Sequence, residues 1–119
     1  MTFTPAPIKP EVPISILEQL DIRVGTIVAA DEVASSKKLA RLRVDFGDHQ
    51  RVILAGLRQE RPDLPALVGV QALFVVNLKP RVMAGETSEG MLFDIGYADG
   101  ITPVFAVPEA KVPNGVRAG

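Results

Sequence analysis

Arg41 and Arg43 stand two residues apart in a run whose alternate members, Ala40, Leu42, Val44 and Phe46, are apolar. That alternation is the pattern of a strand with one buried face. Both guanidinium groups therefore point to solvent from the same side, about 7 Å apart. Lys37 and Lys38 precede this run, and Arg51 opens the segment that returns after Gly47-Asp48-His49-Gln50. Lys79 and Arg81 follow in the stretch Asn77 to Met91, which also holds a proline, two glycines, a serine and two glutamates. Fixed cations on a strand and its adjoining loops suit the tracking of phosphate groups. A solvated basic face and a solvated hairpin loop have the same composition, so both alternatives stay open on residue types alone.

The distribution of charge supports the phosphate reading more than its total does. The 119 residues carry a net charge of −1, which by itself argues against a nucleic-acid binder. Yet residues 37–81 hold nine cations against four acids, whereas the segments on either side are each acidic by three charges. Screening limits each charge to about 10 Å, so a local basic face can bind a polyanion on a near-neutral protein.

Catalytic chemistry finds few residues. No nucleophile elbow, Walker lysine or dinucleotide fingerprint occurs. Asp31-Glu32 and the pair Glu86 and Glu89 fall in polar segments where solvation explains them. The single histidine, His49, beside Asp48 in a turn, cannot build a histidine-cluster zinc site, and zero cysteines exclude disulfides and thiolate metal sites. The expectation is a chain without enzymatic activity, metal or cofactor.

These residues must be positioned by a small β domain. An apolar fraction of 47% is that of a globular chain, and no run of about 18 apolar residues offers a membrane span. Residues 1–13, with four prolines and no apolar h-region, read as a flexible N-terminal arm and not as a secretory signal; the expected compartment is the cytoplasm. Residues 14–119 form the domain. A short helix is expected over Ile14 to Leu20, then strands over Ile22 to Ala30, Ala40 to Phe46, Arg51 to Ala55, Val70 to Val76, Met91 to Ile95 and Thr102 to Val107. Gly25 inside the first strand marks a bend or a close backbone approach. Residues 56–69 hold Pro62 and Pro65 and leave room for a helical turn or two. A helical segment between the third and fourth of five or six short strands is the layout of a five-stranded OB-fold barrel with N- and C-terminal extensions. A seven-stranded sandwich needs more strands than the chain supplies.

Aromatic residues narrow the polyanion. Of five phenylalanines, Phe46 and Phe74 fall on core positions and Phe93 and Phe105 in apolar strands; there is one tyrosine, Tyr97, and no tryptophan. Few rings remain to stack on unpaired bases, so a folded RNA met through shape and phosphates fits better than a flexible single strand.

Three segments resemble the tRNA-binding OB-fold family, which includes the C-terminal domain of bacterial methionyl-tRNA synthetase, stand-alone tRNA-binding proteins and CsaA-type export chaperones. They are Asp21-Ile22-Arg23-Val24-Gly25-Thr26-Ile27-Val28, Leu42-Arg43-Val44-Asp45-Phe46-Gly47, and Asn77-Leu78-Lys79-Pro80-Arg81 with Gly85, Ser88, Glu89, Gly90 and Met91. The resemblance runs from about residue 20 to 116. Val112-Pro113-Asn114-Gly115 is similar to the CsaA branch, and the long loop to the synthetase branch. Ala34-Ser35-Ser36-Lys37-Lys38-Leu39 departs from the family run, keeping only Lys38-Leu39.

The resemblance implies a homodimer joined through Ile14 to Leu20 and Val104 to Val116, and tRNA as the partner. Lys38, Arg41, Arg43, Arg51, Lys79 and Arg81 are then expected at phosphates. Ser88 and Glu89 are expected to order the loop or to meet a ribose or base edge. The alternative is a CsaA-like chaperone for unfolded or presecretory polypeptides, with an apolar groove lined by Met83, Met91 and Phe93. Strand position, however, reads Met91 and Phe93 first as core.

Overall fold

The computed structural model describes residues 2–119. In chain order the elements are α1 (Ile14–Glu18), β1 (Ile22–Glu32), β2 (Ala40–Asp45), β3 (Gln50–Ala55), a 3₁₀ turn (Leu64–Leu67) and β4 (Gln71–Val75). The short strands β5 (Arg81–Met83), β6 (Glu86–Ser88), β7 (Met91–Leu92) and β8 (Asp94–Ile95) follow. A second 3₁₀ turn (Tyr97–Asp99), β9 (Val104–Phe105) and β10 (Arg117–Ala118) complete the chain.

β1 is long enough to serve two neighbours, and this organises the barrel. Its first half pairs antiparallel with β4, from Ile22 opposite Val75 to Thr26 opposite Gln71. Its second half pairs with β2, from Thr26 opposite Asp45 to Glu32 opposite Ala40. The register shifts between Ile27 and Ala29, so Val28 is an extra residue that bends the strand from one partner to the other. Gly25 precedes the bend because nothing larger fits: a Cβ there would lie 2.5 Å from Val44 Cγ1 and 2.8 Å from the Phe46 ring. β3 pairs with β2 and β7 with β4, giving the order β3-β2-β1-β4-β7, one sheet of five strands nearly closed into a barrel. This is the OB-fold that the strand layout implies.

The alternation in β2 reaches the core as expected. Ala40, Leu42, Val44 and Phe46 are buried, while Arg43 is exposed and Arg41 half-buried. Phe46 meets Phe74 edge to face at 5.6 Å, with Ile27, Ile53 and Leu92 in the same cluster. Leu64 and Leu67 of the 3₁₀ turn join that cluster from the β3–β4 connection. Each such side chain contributes about 1.5–3 kcal/mol by leaving water.

Two elements and the burial of one residue differ from the sequence expectation. α1 stops at Glu18, two residues early, because the chain must turn there into β1. The Asp21 N–H is held by Asn77 Oδ1 at 2.7 Å, and Asn77 Nδ2 donates to Gln19 O at 2.8 Å. Met91 to Ile95 is two strands with different partners: β7 lies on β4, whereas β8 lies on β9, with Asp94 opposite Phe105. Phe93 between them donates its N–H to Leu73 O at 3.0 Å. Met91 is 44% exposed and is not a core residue.

The extensions flank the barrel. Residues 2–13 form neither helix nor strand and are exposed. The C-terminal segment folds back so that β10 pairs with the start of β1. Asn114, of the Val112-Pro113-Asn114-Gly115 run, accepts from Thr26 Oγ1 at 2.7 Å and Gln71 Nε2 at 3.0 Å. Among the described residues no helix is long and apolar enough to cross a membrane.

Candidate nucleic-acid interface

The stretch Asn77 to Met91 is a hairpin laid against the barrel wall. β5 and β6 pair with Arg81 opposite Ser88 and Met83 opposite Glu86. Ala84 and Gly85 turn between them, both at positive φ (50° and 79°), as the tightest hairpin turns require. Ser35 Oγ donates to Ala84 O at 2.8 Å, which ties the β1–β2 loop carrying Lys37 and Lys38 to the hairpin tip.

Most of the recognisable residues in this stretch do architecture. Ser88 is buried; its Oγ accepts from the Leu54 N–H at 2.9 Å and donates to Gly90 O at 3.0 Å. Glu89 exchanges two bonds with Val52, N–H to Val52 O at 2.8 Å and Oε1 from the Val52 N–H at 3.1 Å. Side chains thus close the barrel along β3 where a regular ladder is missing. A Cβ on Gly90 would lie 2.9 Å from Val75 O, so only glycine lets the chain pass β4 this closely. Arg51 turns inward, donating to Val76 O and, at 3.1 Å, to Glu89 O, and its Nε reaches His49 Nε2 at 3.1 Å. His49 itself stacks on Phe46 and bonds Asp48 at 2.6 Å, an interaction that holds the Asp48 carboxyl below its ordinary range.

The nine cations of the basic segment divide into two groups. Arg41 forms a two-pronged ion pair with Glu86, Nε to Oε1 at 2.6 Å and an Nη to Oε2 at 2.7 Å. This bond lowers the Glu86 pKa and raises that of Arg41. Arg51 is held as described, Arg58 bonds Ser36 O and pairs with Glu32 at 3.2 Å, and Arg61 lies 4.1 Å over the Phe105 ring. Lys37, Lys38, Arg43, Lys79 and Arg81 are exposed, and none of their side chains has a hydrogen-bond or ion-pair partner among the described residues. Arg43 stands mid-strand on β2, between Ala29 and Val52. Lys37 and Lys38 sit in the loop at the hairpin tip, and Lys79 and Arg81 at its base. Glu86, which composition places in a polar loop, is the functional neighbour that sequence reasoning missed. The usable signal was a carboxylate in the same hairpin as the cations it could pair with.

Beside the hairpin runs a groove of about 600 Å³ lined by Leu54, Met83, Met91, Leu92, Tyr97 and Phe105, with Lys38, Glu60 and Asp94 among its polar residues. It unites Met83 with Met91. Phe93 lies elsewhere, in a second depression with Ile14, Leu17 and Ala118.

An OB-type barrel with an exposed cationic rim around one hairpin defines a binding module of the oligonucleotide- and oligosaccharide-binding class. A family model described as a putative tRNA binding domain matches residues 22–117. The chain belongs to this tRNA-binding domain family. It is 42% identical over 83 residues to the methionine–tRNA ligase of Methanocaldococcus jannaschii, covering 69% of this chain and 12% of the ligase. The chain thus spans only 12% to 16% of the length of the first four ligases it matches. Among solved structures, a MetRS-related protein from Pyrococcus horikoshii superposes with a TM-score of 0.84 at 29% identity, covering 93% of this chain and 100% of that one. The chaperone CsaA of Bacillus anthracis superposes at 0.80 and 28% identity, covering 92% and 100%.

Proposed function

We propose that this chain binds tRNA from the outside, through phosphates and without catalysis. Lys37, Lys38, Arg43, Lys79 and Arg81 make the contacts. One observation carries the reading: of nine cations in the basic segment, five have no partner among the described residues, four of them at the tip and base of one hairpin and the fifth, Arg43, exposed on the outer face of β2. Arg51, Ser88 and Glu89 act indirectly by fixing the hairpin's base, and Arg41 is held by Glu86. The salt dependence of tRNA binding tests this. Five phosphate contacts give a log–log slope of about −3.5 to −4.5. A flat slope refutes the assignment.

The assembly we infer is a homodimer. α1 buries none of its residues, and Ile14, Leu17 and Leu20 are exposed beside β10, with Val107 and Val116 exposed on the C-terminal extension. Two copies would set two cationic rims on one particle, raising avidity for a large folded RNA. Leu17→Glu is expected to yield monomers in sedimentation analysis without unfolding the barrel. A dimer that survives this change places the interface elsewhere. A cytoplasmic setting follows from such a partner.

The second reading, a chaperone for unfolded or presecretory polypeptides, is favoured by the groove with Met83 and Met91, since methionine adapts to varied apolar partners. Suppression of client aggregation that is indifferent to salt and to Arg43→Ala would favour it over RNA binding.

A further inference from the structure

We propose that Glu86 sets the RNA affinity of this domain by masking Arg41, so that the outer face of β2 offers one phosphate-binding arginine instead of two. The inference rests on the tRNA reading above and deepens it. Arg41 and Arg43 leave β2 on the same side, and by residue type they are equivalent phosphate ligands. Their surroundings are not equivalent. Arg43 faces Ala29 on β1 and Val52 on β3. Arg41 faces Asp31 on β1 and reaches over to Glu86 on the hairpin.

The geometry of that second contact is what removes Arg41 from use. Glu86 takes the guanidinium along its Nε–Nη edge with bonds of 2.6 and 2.7 Å. That edge is one a phosphate would need for its own two-pronged grip. A phosphate approaching the remaining Nη–H groups would meet the carboxylate at close range as well as the cation. The pair presents no net charge to a polyanion, and the Arg41 hydrogen bond lowers the Glu86 pKa. Asp31 adds a second acid beside the same guanidinium.

Glu86 points to the barrel from β6 on the same face as buried Ser88, whereas Thr87 between them is exposed on the opposite face. The test uses the full chain with unfractionated tRNA over a salt series, in four forms: wild type, Glu86→Gln, Arg41→Ala and the double variant. Glu86→Gln is expected to tighten binding about three- to tenfold at low salt and to steepen the log–log slope by about 0.7–0.9, one added phosphate contact. Arg41→Ala alone is expected to leave the slope unchanged, and added to Glu86→Gln it should return the slope to the wild-type value. The net-charge effect is separated by Glu86→Gln/Thr87→Glu, which keeps the total charge and moves the carboxylate to the outer face; it should still steepen the slope. Weaker binding by Glu86→Gln, or a slope lost on Arg41→Ala alone, overturns the proposal and makes Glu86 an aligning residue. If hairpin loosening were the cause of a gain, Ser35→Ala, which frees the tip and leaves the ion pair, would reproduce it, and that too overturns the proposal. A wild-type chain with no salt-dependent tRNA binding refutes the tRNA reading itself, and this inference with it.

Discussion

Ser88→Ala offers a sharp test of how this barrel is closed. The substitution removes one oxygen and creates no cavity of consequence, yet that oxygen serves two backbone groups. It accepts from the Leu54 N–H at 2.9 Å and donates to Gly90 O at 3.0 Å, from a side chain only 3% exposed. Among the described residues the Leu54 N–H has no other partner, since that amide, like the Val52 N–H on the same edge, points away from β2 toward the closure. A buried backbone group left without a partner costs about 1–3 kcal/mol. The Leu54 amide is charged near the upper part of that range, and the Gly90 carbonyl near the lower, because Gly90 is only half-buried and water can reach it. The sum is about 2–4 kcal/mol. For a domain of this length, each kcal/mol shifts the melting temperature by about 4 °C, so the variant should melt about 8–15 °C lower. Urea unfolding followed by circular dichroism at fixed protein concentration measures the loss, the concentration being held because the proposed self-association would add to apparent stability. The midpoint should fall with an unchanged m-value. A loss below about 0.5 kcal/mol, the scale of a surface substitution, would refute closure through this hydroxyl.

Three other outcomes are expected. Arg43→Ala should weaken binding alike across different tRNAs and flatten the salt slope by about 0.7–0.9, whereas Arg51→Ala should lower the melting temperature by releasing Val76 O and Glu89 O; titrations and melts on both proteins separate the roles. Gly25→Ala should cost about 1–3 kcal/mol or more in denaturant unfolding, because its methyl would lie 2.5 Å from Val44 Cγ1 in a packed core. In acid, Asp21 and Glu86 both carry pKa values lowered by hydrogen bonds from Arg23 and Arg41. Their stabilisation is therefore present above the ordinary carboxylate range, about 3.9 to 4.3, and is lost as pH falls through their lower folded values. Asp21→Asn should flatten the acid limb of a stability–pH profile; an unaltered limb would place the linkage elsewhere.

Legibility in the sequence followed the range of the interaction. The burial of Ala40, Leu42, Val44 and Phe46 could be read from period-two spacing because a strand's two faces are fixed by its own backbone. Gly25 was legible as a bend or a close backbone approach, because glycine inside a strand marks one or the other, but that the side chains of Val44 and Phe46 are what approach it was not. Met91 was not: it stands in an apolar run, but β7 is only two residues long and the chain changes partner at Phe93, so strand position does not imply burial there. The fate of the cations was least legible. Arg41 finds Glu86 across 45 residues, and Arg51 finds Val76 and Glu89 across 25 and 38. Residue type gives each arginine the same reach and charge; only the folded barrel determines which guanidinium groups meet an acceptor of their own chain.

The side-chain seam along β3 has a meaning beyond closure. An uncovered strand edge is a template on which any extended chain can add, including another copy of the same protein. Here the outward amides of Val52 and Leu54 are already occupied by Glu89 Oε1 and the Ser88 hydroxyl, and Val52 O by the Glu89 amide. A serine and a glutamate do with two side chains what a further full strand would do with its backbone. The same two residues that shape the hairpin therefore also leave these groups of the β3 edge with partners inside their own chain.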